Sequence, residues 1–520
     1  MTLATTPSTA RVTGVSLALQ ALAAHPDRVA FRSTDQAWTY AQTAALMGRM
    51  QAAFRQRGVQ AGQRAVVLSA NSAESWCATL ALQGMGVAVS MMHPLGARAS
   101  HVGQIEDLQA RWVVVDAVHH AQRADELQAD CPQAGHWRLG GGGPQDLLAW
   151  AAQMPDTPPQ DLSDGDQPAA MNFTGGTTGR PKCVLRSGFG LGDMARVILA
   201  GFELPETPQY LAVAPISHVS GTKIIPTLLR GGTVHLAHAF DAGQVLARIE
   251  SARINMVLLV PTMIYALLDH PDLARRDLSS LQLVLYGASP MAPARLAQAL
   301  QRMGPVFAQL YGQTECYPIA YRAKADHDLT HPEQLDACGH VMPGVTVCLL
   351  DERGDEVAEG AAGEIGVRAP HVMAGYLDQA EATAQAMAGG WLHTGDIATR
   401  DAAGRLTIVD RKKDMIVSGG FNVFPSEVEA VLMAHPDVAQ AAVIGVPDEK
   451  WGEAVMAYLV LREGVTLDAD ALGAWVKAHK GAVYRPKHFA AVDALPLTAI
   501  GKLDKKALRA PHWAGRSRQV

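Results

Sequence analysis

The sequence predicts an α/β chain that is divided into two or more domains. Its 520 residues are too many for one ordinary hydrophobic core. Short apolar runs alternate with helical patterns, and this spacing implies parallel strands layered with helices. The composition is 48% hydrophobic and 18% charged, with 48 Gly and 29 Pro, which is typical of a loop-rich globular protein rather than a fibrous or disordered one.

The first part of the chain supplies the alternating elements. We expect a helix over 15–24, a hairpin of 29–32 and 38–40, a helix over 41–57, a strand over 65–69, a helix over 71–84, and strands over 87–91 and 112–115. Gly58 ends the second helix, and Asn71-Ser72-Ala73-Glu74 is a typical capped start for the third. Residues 133–166 are rich in Gly, Pro, Asp and Gln, so we expect a loop region there.

The later strands end at turns that are candidates for ligand binding. We expect strands over 168–173, 211–215, 254–260, 281–286 and 363–368, and a helix from about Pro293. The strand over 281–286 ends at Gly287-Ala288-Ser289, and open α/β sheets bind ligands at such strand ends. Toward the C-terminus, 441–446 and 457–461 predict strands of a small α/β domain. The helix from Pro425 is expected to use Ser426 as its cap.

Charge and cysteine content exclude several classes of protein. A net charge of −6 gives no broad nucleic-acid-binding surface, so no nucleic-acid partner is expected. The six cysteines are scattered and form no C-x-x-C pair, which argues against structural zinc and against a disulfide framework. This pattern fits a reducing cytoplasm.

No stretch of the sequence reaches the length of a membrane helix. The nearest candidate, 254–268, is shorter than the roughly 18–20 apolar residues required and is interrupted by Asn255 and Pro261. The apolar stretch 15–24 is interrupted by Gln20 and followed at once by charged residues. We therefore expect an amphipathic helix there rather than an export signal.

One glycine-rich stretch has the chemistry of a polyphosphate site. Residues 173–182 read FTGGTTGRPK, which does not match the P-loop of kinases and GTPases. Glycines let backbone N–H groups approach an anion closely, and successive N–H groups form an anion-binding nest. The candidate phosphate ligands are Thr174, Gly175, Gly176, Thr177, Thr178, Gly179 and Lys182. The run 140–143 lacks hydroxyls and a nearby lysine, so it is expected to be a plain surface loop.

Two further stretches carry side chains suited to a nucleotide. In Tyr311-Gly312-Gln313-Thr314-Glu315, the tyrosine ring suits stacking on a purine, the threonine offers a hydroxyl to phosphate, and the glutamate is a hard ligand for Mg²⁺. Asp396 has a carboxylate that can accept both ribose hydroxyls. Taken alone, Glu315 could equally be a solvated surface carboxylate, and Asp396 a turn residue next to Gly395.

Five motifs in order resemble those of the adenylate-forming superfamily, which includes acyl- and aryl-CoA synthetases, adenylation domains of peptide synthetases, and luciferases. They are the 174–182 loop, the 311–315 motif, Asp396, residues 410–416 and residues 496–502. The family usually has Thr-Ser-Gly-Thr-Thr-Gly-x-Pro-Lys-Gly. Here Gly175 replaces the serine and Cys183 the last glycine. The resemblance runs from about residue 15 to residue 510.

This resemblance implies a domain layout and a set of roles. It implies a large multi-layered N-terminal domain of packed sheets and helices over 1–410, and a small α+β C-terminal domain over 411–520 that rotates about a hinge at Asp410. The resemblance implies that Gly287, Ala288 and Ser289 form adenine and acyl walls, that Tyr311 and Gly312 bind the nucleotide base, and that Asp396 and Arg411 bind ribose. It implies passage of pantetheine at Gly419 and Gly420, and contacts to CoA phosphates by Arg485 and Lys487. The implied catalytic residues are Lys502, Thr314, Glu315 and His218, the last of which lines the gate of the carboxylate pocket. His218 could otherwise be a satisfied, partly buried histidine, and Arg485 and Lys487 solvated surface charges.

The implied activity is an ATP-dependent carboxylate–CoA ligase. It would use ATP, Mg²⁺ and coenzyme A to form an acyl-adenylate and pyrophosphate, then an acyl-CoA thioester and AMP. The segment 91–96 and the TGGTTG variant favour a fatty, aryl or aryl-alkanoic acid over acetate. A free-standing enzyme that loads a carrier-protein thiol remains the alternative, as does a non-catalytic nucleotide-binding relative. A homodimer is possible but does not follow from the sequence.

Overall fold

The α/β prediction is confirmed, with a large, mixed α/β N-terminal part and a small C-terminal one. The computed structural model describes residues 11–174, 182–289, 291–331, 335–418, 421–449, 451–497 and 503–514. Within these residues, the strands form four β-sheets, and helices alternate with the strands along the chain. A search of the same residues finds no helix that is both long and apolar enough to cross a membrane.

The helices and strands follow one another in close alternation. The helices are Gly14–Ala24 (α1), Tyr40–Gln56 (α2), Ala73–Gly84 (α3), Arg98–Asp107 (α4), Ala121–Asp130 (α5), Leu147–Ala152 (α6), Gly188–Gly201 (α7), Ile224–Leu229 (α8), Ala242–Ser251 (α9), Pro261–Asp269 (α10), Pro293–Met303 (α11), Ala380–Ala386 (α12), Pro425–Met433 (α13), Ala469–Lys480 (α14) and Lys505–Arg509 (α15). The strands are Val29–Arg32 (β1), Ala37–Thr39 (β2), Arg64–Leu68 (β3), Ala88–Met91 (β4), Trp112–Asp116 (β5), Gly135–Leu139 (β6), Pro168–Phe173 (β7), Cys183–Ser187 (β8), Gln209–Ala212 (β9), Thr233–Leu236 (β10), Met256–Leu259 (β11), Leu283–Gly287 (β12), Phe307–Gln313 (β13), Cys316–Arg322 (β14), His340–Val341 (β15), Thr346–Leu350 (β16), Gly363–Arg368 (β17), Gly375–Tyr376 (β18), Leu392–Arg400 (β19), Leu406–Arg411 (β20), Ile416–Ser418 (β21), Phe421–Val423 (β22), Val438–Asp448 (β23), Gly452–Leu461 (β24) and His488–Ala491 (β25).

Two large sheets have the parallel interiors that the alternation predicts. One has nine strands in the order β15-β14-β13-β12-β11-β9-β10-β1-β2, and the other has seven in the order β18-β8-β7-β4-β3-β5-β6. Antiparallel pairs occur toward their ends, at β1–β2, β13–β14, β14–β15, β7–β8 and β8–β18. A four-stranded antiparallel sheet (β16-β17-β19-β20) and a C-terminal sheet (β22-β21-β24-β23, with β25 on β24) complete the architecture.

Asn71 joins the two large sheets at the carboxyl ends of their strands. Its side-chain amide donates to the carbonyl oxygens of Ala212, Ala214 and Ala237 at 3.3, 3.1 and 2.9 Å. Its amide oxygen accepts from the backbone N–H of Ile216 at 2.9 Å. Both the donor and the acceptor end of this buried side chain therefore have partners, and the three contacts of the amide nitrogen share its two hydrogens. The contacts fix the segment that leads to His218.

The predicted loop over 133–166 is wrong in part, because it contains β6 and α6. β6 pairs in parallel with β5, and Trp137 is buried edge-on against Phe54 with ring centroids 5.6 Å apart. Tertiary pairing thus overrides a loop-like composition. The glycine run does connect the two elements: its four φ angles lie between +74° and +89°, which suits glycine.

Ser426 is not the cap of its helix, in contrast to the prediction. The N-cap position belongs to Phe424, and Pro425 occupies the first helical position. The Ser426 backbone N–H donates to the Asp410 carboxylate at 2.9 Å, and its hydroxyl donates to the Val409 carbonyl oxygen. Asp410 therefore caps α13 from β20, and burial raises the pKa of this carboxyl group.

Candidate active site

The predicted phosphate loop is the connection of a β-hairpin. β7 and β8 pair antiparallel, and the Thr174 N–H donates to the Lys182 carbonyl oxygen at 2.9 Å. The Lys182 N–H lies 3.3 Å from the Thr174 hydroxyl. Gly175, Gly176, Thr177, Thr178 and Gly179 lie outside the described residues. The two described ends of the predicted site, Thr174 and Lys182, are therefore neighbours.

A tyrosine that the sequence did not single out lies between the hairpin lysine and the predicted metal ligand. The Lys182 ammonium lies 4.7 Å from the centroid of the Tyr376 ring. The Tyr376 hydroxyl donates to Glu315 Oε1 at 2.9 Å. Burial and the adjacent Glu315 charge raise the pKa of Tyr376, so the hydroxyl keeps its proton and remains a donor.

A buried arginine links the same hairpin to the 311–315 motif. Arg186, on β8, donates from Nε and Nη2 to the Thr314 carbonyl oxygen at 3.1 and 2.7 Å. Burial lowers the pKa of Arg186. On the other side, the Met373 N–H donates to the Glu315 carbonyl oxygen at 2.7 Å. The backbone of Thr314 and Glu315 is thus held from two directions, beside the phosphate hairpin.

The donor set at this position fits a magnesium ion that arrives with a nucleotide. Glu315 offers a carboxylate oxygen, the kind of ligand that Mg²⁺ prefers. Among the residues that the structure describes, no group of three or more His, Cys, Asp or Glu side chains could hold a metal ion. Mg²⁺ is usually bound through one or two carboxylates together with substrate phosphates and water. One glutamate next to a phosphate-binding hairpin meets that requirement.

The predicted ribose ligands come together on adjacent strands. Asp396 and Arg411 are direct partners in the β19–β20 pairing, and Arg411 Nε lies 3.2 Å from Asp396 Oδ1. The Tyr311 hydroxyl donates to Asp396 Oδ2 at 2.7 Å. Asp396 is 5% exposed and belongs to a strand rather than to a turn. The carboxylate is therefore fixed by a phenol and a guanidinium, a contact between motifs that the sequence did not predict.

The turn after β12 stands beside the strand that carries Tyr311 and Gly312. Gly287 pairs with Leu310 of β13, and a Cβ at Gly287 would lie 2.3 Å from the Leu310 carbonyl oxygen. Ala288 has a φ of +66°, a conformation that costs energy for a residue with a Cβ. Such strained positions concentrate at functional sites. Ser289, the third predicted wall residue, is half-buried in the same turn.

His218 contacts the segment from which the substrate class was predicted. His218 is exposed, and its Nδ1 lies 2.8 Å from the Ser217 hydroxyl. Its ring meets the His93 ring edge-on, with centroids 5.0 Å apart. Burial lowers the pKa of His93. The gate histidine and the 91–96 segment therefore lie together at the carboxyl ends of strands from both large sheets.

A fully buried lysine lies behind the His218 segment. Lys223 is 0% exposed, and its Nζ lies 2.6 Å from the Tyr317 hydroxyl, 2.8 Å from the Thr222 hydroxyl and 3.4 Å from the Val219 carbonyl oxygen. Burial lowers the pKa of Lys223 well below its usual value. Nζ donates to all three oxygens, and none of these partners is a carboxylate, so no opposite charge in direct contact offsets the burial of the amine.

The lowered pKa of Lys223 predicts a pH-dependent stability. Because the folded-state pKa lies below the unfolded-state value of about 10.4, the unfolded chain binds one more proton between these two pKa values. The free energy of unfolding should therefore rise with pH in that window, by about 1.4 kcal/mol per pH unit from this group. Denaturant unfolding of wild type and Lys223→Met at pH 7 and pH 9 measures it. The stability of the wild type relative to the variant should be greater at pH 9 than at pH 7. A difference that does not change between these two pH values would contradict the lowered pKa of Lys223.

The predicted CoA contacts are exposed residues with local partners. Arg485 Nη2 lies 3.2 Å from Asp470 Oδ1. Lys487 Nζ lies 3.9 Å from Asp448 Oδ2 and 4.4 Å from the centroid of the Trp451 ring. These pairs are solvent-accessible, so they are weak and open to exchange. Gly419, Gly420 and Lys502 lie outside the described residues.

The chain is similar to known proteins along nearly its whole length. The family model for AMP-binding enzymes matches residues 19–377, and that for the AMP-binding enzyme C-terminal domain matches residues 427–502. A medium/long-chain-fatty-acid–CoA ligase, FadD8, from Mycobacterium tuberculosis is 41% identical, over 97% of this chain and 91% of its own. A feruloyl-CoA synthase from Amycolatopsis is 36% identical, over 93% of this chain and 96% of its own.

The fold also matches that of a solved structure over nearly the whole chain. The amide bond synthetase McbA from Marinactinospora thermotolerans superposes with a TM-score of 0.88 at 33% identity, covering 96% of this chain and 99% of the other. The matched models span both parts of the molecule in the order that the motifs predicted. The chain therefore belongs to the family of AMP-binding, adenylate-forming enzymes, in its branch of acid–CoA ligases.

Proposed function

We propose that this enzyme joins a fatty, aryl or aryl-alkanoic acid to coenzyme A by way of an acyl-adenylate. The observation that carries the proposal is the grouping of Lys182, Glu315 and Asp396 around one site. Tyr376 contacts both Lys182 and Glu315. Tyr311, on the strand that runs into the 311–315 motif, donates a hydrogen bond to Asp396. These groups supply a cation for phosphate, a carboxylate for a metal and a carboxylate for ribose.

In the first step, a carboxylate oxygen of the acid attacks the α-phosphorus of ATP. The bond from that phosphorus to the bridging oxygen breaks, and pyrophosphate leaves. Lys182 and the hydroxyl and N–H donors of the 174–179 stretch hold the leaving phosphates, while Asp396 and Arg411 fix the ribose, so that attack occurs in line. Glu315 would hold Mg²⁺ together with the phosphates, and the bound ion would supply charge neutralisation. Lys502 neutralises the charge that develops on the α-phosphate.

In the second step, the CoA sulfur attacks the acyl carbon and AMP leaves. We propose that residues 411–520 rotate about Asp410, which removes Lys502 and brings Gly419 and Gly420 toward the adenylate. A hinge of this kind lets one site serve two reactions. The hydrogen bond between the Asp410 carboxylate and the first turn of α13 supports this placement, because it lies where the chain passes from β20 into the C-terminal part. Arg485 and Lys487 would meet the CoA phosphates.

The acyl class rests on the His93–His218 contact and on the similarity to FadD8 and feruloyl-CoA synthase. Both relatives are named for acids much larger than acetate. The small side chains predicted for the pocket wall, at Gly287, Ala288 and Ser289, are compatible with a chain or a ring. We therefore place the substrate among medium-chain, long-chain and aromatic acids.

The test is pyrophosphate release from ATP with acetate, octanoate, palmitate, benzoate, phenylacetate and a cinnamate, each with and without CoA. We expect turnover that needs both CoA and an acid of the larger classes. Equal turnover of acetate and octanoate would contradict the acyl class. Release that CoA does not increase would instead favour a carrier-protein thiol or, as the similarity to McbA suggests, an amine as the acceptor.

A further inference from the structure

We propose that Tyr376 is a spacer that keeps Lys182 and Glu315 from neutralising each other before ATP binds. The inference rests on the proposed function, in which Lys182 binds phosphate and Glu315 binds the metal. The Lys182 ammonium lies over the face of the Tyr376 ring, with Nζ 4.7 Å from the ring centroid. The Tyr376 hydroxyl donates a hydrogen bond to the Glu315 carboxylate at 2.9 Å. All three side chains are half-buried.

The backbone around Tyr376 is fixed against the phosphate hairpin. β18 pairs antiparallel with β8, with Tyr376 opposite Val184, and the Leu377 N–H donates to the Cys183 carbonyl oxygen at 2.8 Å. The Tyr376 N–H donates to the Thr383 hydroxyl at 2.9 Å. Gly375 has a φ of +147°, and a Cβ there would lie 2.9 Å from the Thr383 methyl carbon. The tyrosine ring is therefore held beside the hairpin by contacts on both sides of it.

An ammonium and a carboxylate in a half-buried cleft attract each other more strongly than they do in water. A direct pair would use up the cation that the phosphates need and the carboxylate that the metal needs, and a nucleotide would have to break it. Within the residues that the structure describes, Lys182 forms no ion pair with Glu315. Tyr376 instead gives each charge a weaker partner, a cation–π contact for the lysine and a hydrogen bond for the glutamate. Both charged groups stay available to the nucleotide.

The spacer can be tested by binding of ATP alone, in EDTA and without any acid substrate, using isothermal titration calorimetry. Tyr376→Phe keeps the ring, so ATP affinity should stay close to the wild-type value. Tyr376→Leu removes the ring and lets Lys182 reach Glu315, so ATP affinity should fall roughly tenfold. Adding Glu315→Gln to Tyr376→Leu should restore most of that loss, because the glutamine no longer pairs with the lysine. Glu315→Gln in the wild-type background is the reference for the direct effect of that change.

Two results would overturn the inference. One is a Tyr376→Leu variant that binds metal-free ATP as well as the wild type does. The other is a loss that Glu315→Gln fails to restore, since a folding defect at Tyr376 would not be rescued by a change at Glu315. Lys182→Ala separates this inference from the proposed function. If Lys182→Ala leaves ATP affinity unchanged, the phosphate role of Lys182 fails; if it weakens ATP binding and Tyr376→Leu does not, the spacer alone fails.

Discussion

Replacing Lys502 by alanine is expected to slow adenylate formation about 10²–10³-fold, the usual effect of removing one group that stabilises developing transition-state charge. Thioester formation from pre-made acyl-adenylate should be largely unchanged. The two half-reactions differ because the proposed rotation about Asp410 withdraws Lys502 before CoA attacks. The measurements are single-turnover pyrophosphate release and, separately, acyl-CoA formation from a synthetic acyl-adenylate.

The described residues on either side of Lys502 are held by contacts among themselves and with the rest of the C-terminal part. Lys502 lies outside the described residues, but Leu497 and Leu503 on either side of it pair as an antiparallel bridge. The helix that follows is anchored by an ion pair of 2.8 Å between Lys505 and Glu429. These contacts do not involve the Lys502 side chain. Lys506→Ala, at an exposed position of the same helix, is the matched control and should leave both half-reactions intact. Equal losses in both half-reactions of Lys502→Ala would refute its role.

The Asp396→Asn variant should raise the KM for ATP about 10- to 100-fold. A hydrogen bond to a charged group contributes about 1.5–3 kcal/mol, and the asparagine loses the charge with which Asp396 accepts the ribose hydroxyls. The change also removes the charged partner of Arg411 Nε, 3.2 Å away. The KM for the acid and for CoA should change much less, because the acid has no ribose and the proposed contacts of CoA are Arg485 and Lys487 rather than Asp396.

Discrimination between ATP and 2′-deoxy-ATP tests the assignment more directly. Wild-type enzyme should favour ATP strongly, because a site built to hydrogen-bond a hydroxyl rejects the analogue that lacks it. Asp396→Asn should lose much of this preference. Asp401→Asn is the control, since Asp401 follows the same strand and pairs with Arg405 instead. An Asp396→Asn enzyme that keeps the full preference would show that Asp396 does not bind the ribose.

Local patterns sufficed for those parts of the fold and site that depend on residues close in the chain. The hairpin of β1 and β2, the helix that begins after the Ser72 cap and the helix from Pro293 were predicted from short-range signals and were confirmed. The two wrong predictions, the loop over 133–166 and the Ser426 cap, concern residues whose structure depends on a partner that is distant in the chain. β6 exists because β5 pairs with it, and Ser426 hydrogen-bonds to residues of β20 instead of capping its own helix.

The sequence by itself determined the family, through a glycine-rich stretch predicted to bind phosphate, a carboxylate predicted to bind a metal and a carboxylate predicted to bind ribose, in the order in which the family has them. These features depend on residue type and on spacing within a few positions. Only the tertiary structure decided which side chains share the site. Tyr376 and Glu315 are 61 residues apart, and Arg186 and Thr314 are 128 apart. No periodicity or motif encodes such contacts, because they depend on which strands become neighbours and on which faces of the sheets are buried together.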